Sequence, residues 1–264
     1  MTTRRRFIAG ACAALALPGL ALARDADVVR IGTVPGPEAE LLAHARDLAA
    51  TQGLVLQIDV RERGERLAAD LASGALDAAA WPDGVRFADE SRGGGAALAV
   101  ATALFTLPTG LYSRKLTTVH QLRDGDAVAI PADARGMARA LVLLQNFGLI
   151  TLRDDSGLHA RLRDVIGNVR GLRLVPTPAP RLFDALVHVP IVVMDYDSAT
   201  RAGLQPARDS IGIEDARTPF GGVLGVRRDR LAQPWLARLV EVVHGEPMKR
   251  FALERYNDSV RRPW

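Results

Sequence analysis

The chain predicts an α/β fold arranged as two lobes around a cleft, and three observations carry that reading. From Asp27 onward, short apolar runs alternate with helix-period segments. The alternation occurs twice. A late apolar segment then returns after the second unit.

The first unit opens with VVRIGTV (28–34), an apolar run of buried-strand type. EAELLAHARDLAATQG (38–53) places Leu41, Leu42, Ala45, Leu48 and Ala49 on one helical face and closes on Gly53, a residue suited to a helix end. LVLQIDV (54–60) alternates at period two. GERLAADLASG predicts a second helix and LDAAAWP a third strand. ESRGGGAAL (90–98) reads as a loop, because its glycines lack the lysine and hydroxyl residue of a phosphate-binding turn. ALAVATALFTLPTGLYSRK (97–115) reads as extended chain.

The second unit repeats the order through DAVAIP, a helix from PADARGMARALVLL (131–144), GLRLVPTP, PRLFDAL and IVVMD. TPFGGVLGV forms the return, and two helices follow around 236–243 and 248–256. The expected division is a leader at 1–23, a first lobe at 24–109, a second at 110–206, and a return with terminal helices at 207–264 that completes the first. Ligands of such folds sit at strand ends and between domains.

The leader, MTTRRRFIAGACAALALPGLALA, has a basic start, an apolar core broken by Pro18 and Gly19, and Ala21-Leu22-Ala23 as a small-x-small cleavage site. Its Arg4-Arg5-Arg6-Phe7-Ile8 stretch resembles a twin-arginine export signature. Cys12, the single cysteine, falls too early in the apolar core for a lipid-attachment site, so lipid anchoring there is not expected. The leader holds three of the 34 basic residues and none of the 30 acidic ones, so the rest of the chain is almost neutral despite a formal charge of +4. Nucleic-acid binding, which needs clustered basic residues, loses its support. The five histidines show no metal-ligand spacing, and no serine-nucleophile elbow or dinucleotide fingerprint occurs. No metal, cofactor or catalytic residue is expected.

One arginine poses a problem. In PADARGMARALVLL, Arg139 is expected in the first turn of its helix, where free backbone N–H groups already favour anions. Either it joins those groups in holding an anionic ligand, or it pairs with an acidic neighbour or solvent.

The segment GLYSRKLTTVHQLRDGDAVAIPADARGMARALVLLQNFGLITL (110–152) resembles the methionine-binding, NlpA-type family of substrate-binding proteins that serve ABC importers, as do GALDAAAW (74–81), AGLQPARDSIGIED (202–215) and TPFGGVLGVRRD (218–229). The resemblance implies a two-lobed periplasmic binding protein fold of type II-like form, closing on a small amino-acid-like ligand, with an ABC permease and ATPase as partners and the periplasm as location. It also implies that Arg139 grips the ligand carboxylate. Family asparagines fall on Gly136, Asp195 and Gly222, a phenylalanine-glutamine-histidine stretch on Trp81-Pro82-Asp83, and pocket tyrosines on Arg86 and near Gly64.

With those replacements, Asp195 is expected either to pair with a ligand ammonium or to cap the helix after its strand. Trp81 either walls the pocket or packs in a core, and Asp83 and Arg86 either face the ligand or pair with each other. The two glycines leave room for a ligand larger than methionine. Two rivals stand beside transport: a sensor or assembly partner on the same fold, and an enzyme that would have only Asp83 and Asp195 as bases.

Overall fold

The structure, a computed structural model, describes residues 28–62, 66–92 and 97–264. The expected leader with Cys12, the position near Gly64 and the glycine run 93–95 lie outside the described residues.

The first unit runs β1 (Val28–Thr33), α1 (Pro37–Ala50), β2 (Val55–Val60), α2 (Leu67–Ser73), β3 (Ala78–Trp81), α3 (Gly84–Ser91) and β4 (Leu98–Ala103). The second contains β5 (Gly110–Tyr112), β6 (Ala127–Pro131), α4 (Ala134–Asn146), a small hairpin of β7 (Thr151–Leu152) and β8 (Val165–Gly167), β9 (Arg173–Thr177), α5 (Leu182–Ala185), β10 (Ile191–Met194), α6 (Tyr196–Arg201), α7 (Pro206–Asp209) and β11 (Ser210–Ile213). The chain closes with β12 (Val223–Arg227), α8 (Pro234–His244) and α9 (Glu246–Tyr256).

Two five-stranded sheets result, ordered β2-β1-β3-β12-β4 and β11-β5-β10-β6-β9. Strands β2, β1 and β3 are parallel, and the returning β12 lies antiparallel between β3 and β4. In the second sheet β9, β6 and β10 are parallel, while β5 runs antiparallel to β10 and β11 antiparallel to β5. The central strands β3, β6 and β10 are buried along their whole length, which explains why they read as unbroken apolar runs. Helices cover both faces of each sheet. In the first lobe Leu41, Leu42 and Ala45 of α1 pack with Leu236, Leu239 and Met248 of the terminal helices, while Leu67, Leu71, Trp81 and Phe87 form the core on the opposite face.

The expected lobe boundary at residue 206 is corrected by β11, whose Ile213 and Ser210 pair with Gly110 and Tyr112 in the second sheet. The strand is short and only half-buried, so its sequence carries little periodic signal. Helix α3 was not expected either. It starts where Asp83 accepts a hydrogen bond from the Arg86 backbone N–H, and it ends next to the glycine run.

Two segments, 104–109 and 214–222, cross between the sheets. They touch at Gly222, whose carbonyl accepts from Leu104 N–H at 2.7 Å and whose N–H donates to Phe105 O at 3.1 Å. A Cβ at Gly222 would sit 2.5 Å from the Phe105 carbonyl oxygen, so glycine is required there by the close approach of two backbones.

Candidate ligand site

A cavity of ≈ 180 Å³ opens between the lobes. The first lobe and its crossing supply Pro82, Asp83, Leu107 and Thr109, and the second supplies Pro131, Asp133, Arg135, Gly136, Arg139, Asp195, Tyr196 and Asp197. These residues cluster because β3, β6 and β10 all end at the cleft, each running directly into a helix: α3, α4 and α6. Aspartate caps each of those helices. Asp83 accepts from Arg86 N–H at 2.6 Å, Asp133 from Gly136 N–H at 2.8 Å and Asp195 from Ser198 N–H at 2.7 Å. The cap therefore places a carboxylate at each strand end.

Arg139 faces this cavity, but not from the first turn. The Asp133 cap starts α4 at Ala134, which moves Arg139 into the second turn and gives the first-turn place to Arg135. Its guanidinium is held on one edge. Nε donates to Glu214 Oε2 at 2.9 Å, and Nη2 donates to Glu214 Oε2 at 2.5 Å and to Leu107 O at 2.7 Å. The Phe220 ring lies 5.6 Å from the guanidinium carbon. Glu214 is 3% exposed and is further satisfied by Thr109 N–H and the Thr218 hydroxyl. The acidic partner expected as one alternative for Arg139 is thus present. It occupies Nε and Nη2, while Nη1 has no partner among the described residues and Arg139 lines the cavity. Both crossing segments anchor this arginine, which ties its orientation to the hinge between the lobes.

The opposite wall is acidic. Asp195 both caps α6 and lines the cavity, so its two expected roles coincide. Asp197 follows in the first turn of α6, where desolvation and then the neighbouring Asp195 hold its carboxyl above the usual range, with Arg201 opposing them. Outside the cavity lining, at the start of α1, Glu38 lies beside Leu41, Leu104, Phe105 and Met248 of the first lobe; it is 5% exposed and its Oε1 has no hydrogen-bond partner. Burial is the main cause that pushes the Glu38 carboxyl up to about 7, and Asp197 and Asp83 add to it while Arg139 opposes it.

Asp83 meets Arg135 of the other lobe at 3.3 Å, and Asp89 of α3 meets His159 at 3.4 Å. Both contacts span the cleft, and apart from the buried Asp83 the groups are exposed or half-exposed. Pairs of this kind contribute about 0–1 kcal/mol, too little to decide by themselves whether the lobes stay together.

Of the expected site residues, the structure brings together Arg139, Asp195, Asp83 and Gly136 on one cavity. A Cβ at Gly136 would fall 2.7 Å from both Asp133 Oδ2 and Pro131 Cβ, so this glycine admits the cap rather than enlarging the cavity. Trp81, Arg86 and Gly222 are not among the lining residues. Trp81 is fully buried against Phe87, and its indole N–H donates to Glu90 Oε2 at 2.8 Å; Arg86 Nε binds the other oxygen of the same glutamate at 2.6 Å. The packing alternative holds for Trp81, and Arg86 turns along its own helix because Glu90 lies one turn on. Gly222 belongs to the hinge. Sequence reading passed over Glu214, Thr109 and Asp197. An acid directly after an apolar strand, the first of the two in SIGIED, is the signal that would have found Glu214.

Residues 29–264 match the NlpA lipoprotein family. The chain belongs to that family. It is 27% identical to the D-methionine-binding lipoprotein MetQ of Escherichia coli K12, an alignment covering 91% of this chain and 90% of the relative. Among solved structures it resembles an ABC transporter periplasmic substrate-binding protein from Coxiella burnetii (31% identity, TM-score 0.69) and a nutrient binding protein from Burkholderia cenocepacia bound to methionine (28%, TM-score 0.70). Each alignment covers 88% of this chain and 98% of the other. The fold is therefore that of the two-lobed periplasmic substrate-binding proteins. Among the described residues, no helix is long and apolar enough to cross a membrane and no cluster of side chains could hold a metal ion.

Proposed function

We propose that this protein is the exported solute-binding component of an ABC importer and captures an amino-acid-like solute between its lobes, without chemistry and without a cofactor. The observation that carries this reading is a cavity lined from both lobes, with a fixed arginine edge at one end and carboxylates at the other. The ligand carboxylate meets Arg139 Nη1, and its ammonium meets Asp195. Arg139 and Asp195 both belong to the second lobe, so Pro82 and Asp83 are the first-lobe contacts by which a bound solute favours the closed form, and the closed form is what a permease and its ATPase recognise. The names of the relatives, methionine-binding and ABC-transporter proteins, support the transport role. Residues 1–23 direct export to the periplasm, with cleavage after Ala23 and no lipid at Cys12.

Thermal unfolding against a panel of amino acids and short peptides, L-methionine included, tests the reading. A ligand that binds only the folded state raises the midpoint, and at a hundred times its Kd the stabilisation is about 2.7 kcal/mol. The expected result is at least one amino-acid ligand whose shift is lost in Arg139→Ala. A panel without any shift contradicts solute capture and favours a partner or sensor role.

A further inference from the structure

The cleft carries more negative charge than a simple zwitterion can answer. Four carboxylates line it, those of Asp83, Asp133, Asp195 and Asp197, against the guanidiniums of Arg135 and Arg139. Neither cation is fully available. Arg139 is neutralised by Glu214 and Arg135 is engaged by Asp83. Asp133 is balanced by the start of α4, a thirteen-residue helix whose N-terminal N–H groups it caps. Asp195 and Asp197 are less fully balanced: α6 spans six residues and supplies Asp195 with the Ser198 N–H, Arg201 one turn on acts on Asp197 from beyond ion-pair distance, and neither carboxylate has a cation at ion-pair distance among the described residues.

A buried polar atom without a partner points to a ligand in this cavity. Thr109 is 2% exposed and lines the cavity, and its Oγ1 has no hydrogen-bond partner, while its own N–H donates to Glu214 Oε2 beside Arg139. That hydroxyl complements a carboxylate seated on Arg139 Nη1. An unmatched buried polar atom costs free energy until a partner arrives. A bare metal ion is a poor partner here, because the acidic side chains do not converge as a ligand set among the described residues.

We propose that the preferred solute is a basic amino acid, one whose side chain carries a second positively charged nitrogen. This inference rests on the solute-capture reading above and specifies its ligand. The carboxylate meets Arg139 Nη1 and the Thr109 hydroxyl. The two nitrogens distribute over Asp195 and Asp197.

Titration calorimetry of the purified protein with L-lysine, L-ornithine, L-norleucine and L-methionine tests it, since norleucine keeps the chain length but lacks the second charge. The expected result is that the basic pair binds roughly ten- to hundredfold tighter than the neutral pair. Asp197→Asn, chosen because Asp197 does not cap its helix, is expected to pull that ratio toward one, with folding verified by its unfolding midpoint. Neutral amino acids that bind as tightly as lysine, in an Arg139-dependent way, would overturn the basic preference and leave solute capture standing. Lysine preference that survives both Asp197→Asn and Asp195→Asn would overturn the assignment to these carboxylates. Absence of binding by all four ligands would overturn the basic preference, and the thermal-unfolding panel of further amino acids and short peptides then decides the capture reading.

Discussion

At one end of the cleft Arg139 has its Nε and Nη2 hydrogens taken up by Glu214 and Leu107, and it is aimed by contacts to both crossing segments. At the other end Asp195 and Asp197 share the start of a short helix, with one backbone N–H for Asp195 and no paired cation. The first end is satisfied within the protein and so holds its geometry before any ligand arrives. The second is left for something else to satisfy. The contrast indicates that orientation comes from the paired end and selectivity from the unpaired one.

Removing Glu214 is the harshest way to break this contrast. Glu214→Gln leaves a nearly buried guanidinium without its counter-charge, and a loss of about 3 kcal/mol is expected, read as a lower urea midpoint. Arg139→Ala removes the cation that receives the ligand carboxylate, and affinity for the best ligand is expected to fall roughly a hundredfold by calorimetry. An affinity within twofold of the wild type would place the carboxylate elsewhere.

The buried carboxyl of Glu38, set against the first-lobe core, is probed by pH. Glu38 is raised from 4.5 to about 7 in the folded protein, so the folded state holds the proton more tightly than the unfolded chain. Stability is then highest below about pH 4.5 as far as this group is concerned, falls as the pH rises to about 7, and levels above it. Glu38→Gln should remove that slope and stabilise the protein at pH 8 by about 2 kcal/mol, read from unfolding midpoints across the range. The smallest effect belongs to Arg135→Ala, which deletes the cross-cleft pair with Asp83. It should change stability by less than about 1 kcal/mol, and raised salt should shrink the difference further.

Much of the architecture was legible because buried parallel strands and amphipathic helices write their period into sequence. The runs at Ala78–Trp81, Ala127–Pro131 and Ile191–Met194 are apolar throughout since both faces are covered. Short half-buried pieces such as Ser210–Ile213 leave no such trace, and the second lobe therefore extends further than its sequence suggested. At the site, Asp195 and Arg139 were visible as polar residues at strand and helix boundaries. Glu214 and Thr109 were not, because their role comes from the meeting of two crossing segments far apart in sequence. Trp81 misled for the opposite reason: its place beside Pro82 and Asp83 lies next to the cavity in sequence, but strand alternation turns the indole into the core, where Glu90 satisfies its N–H. Gly222 likewise looked like an emptied ligand position and is a hinge contact between backbones.

The most direct test is a crystal structure of the protein with the amino acid that gives the largest stabilisation. A ligand between the lobes, with one carboxylate oxygen within hydrogen-bond distance of Arg139 Nη1 while Glu214 still holds Nε and Nη2, is the predicted result. A ligand bound away from Arg139, or a structure in which Glu214 also occupies Nη1, would contradict the account.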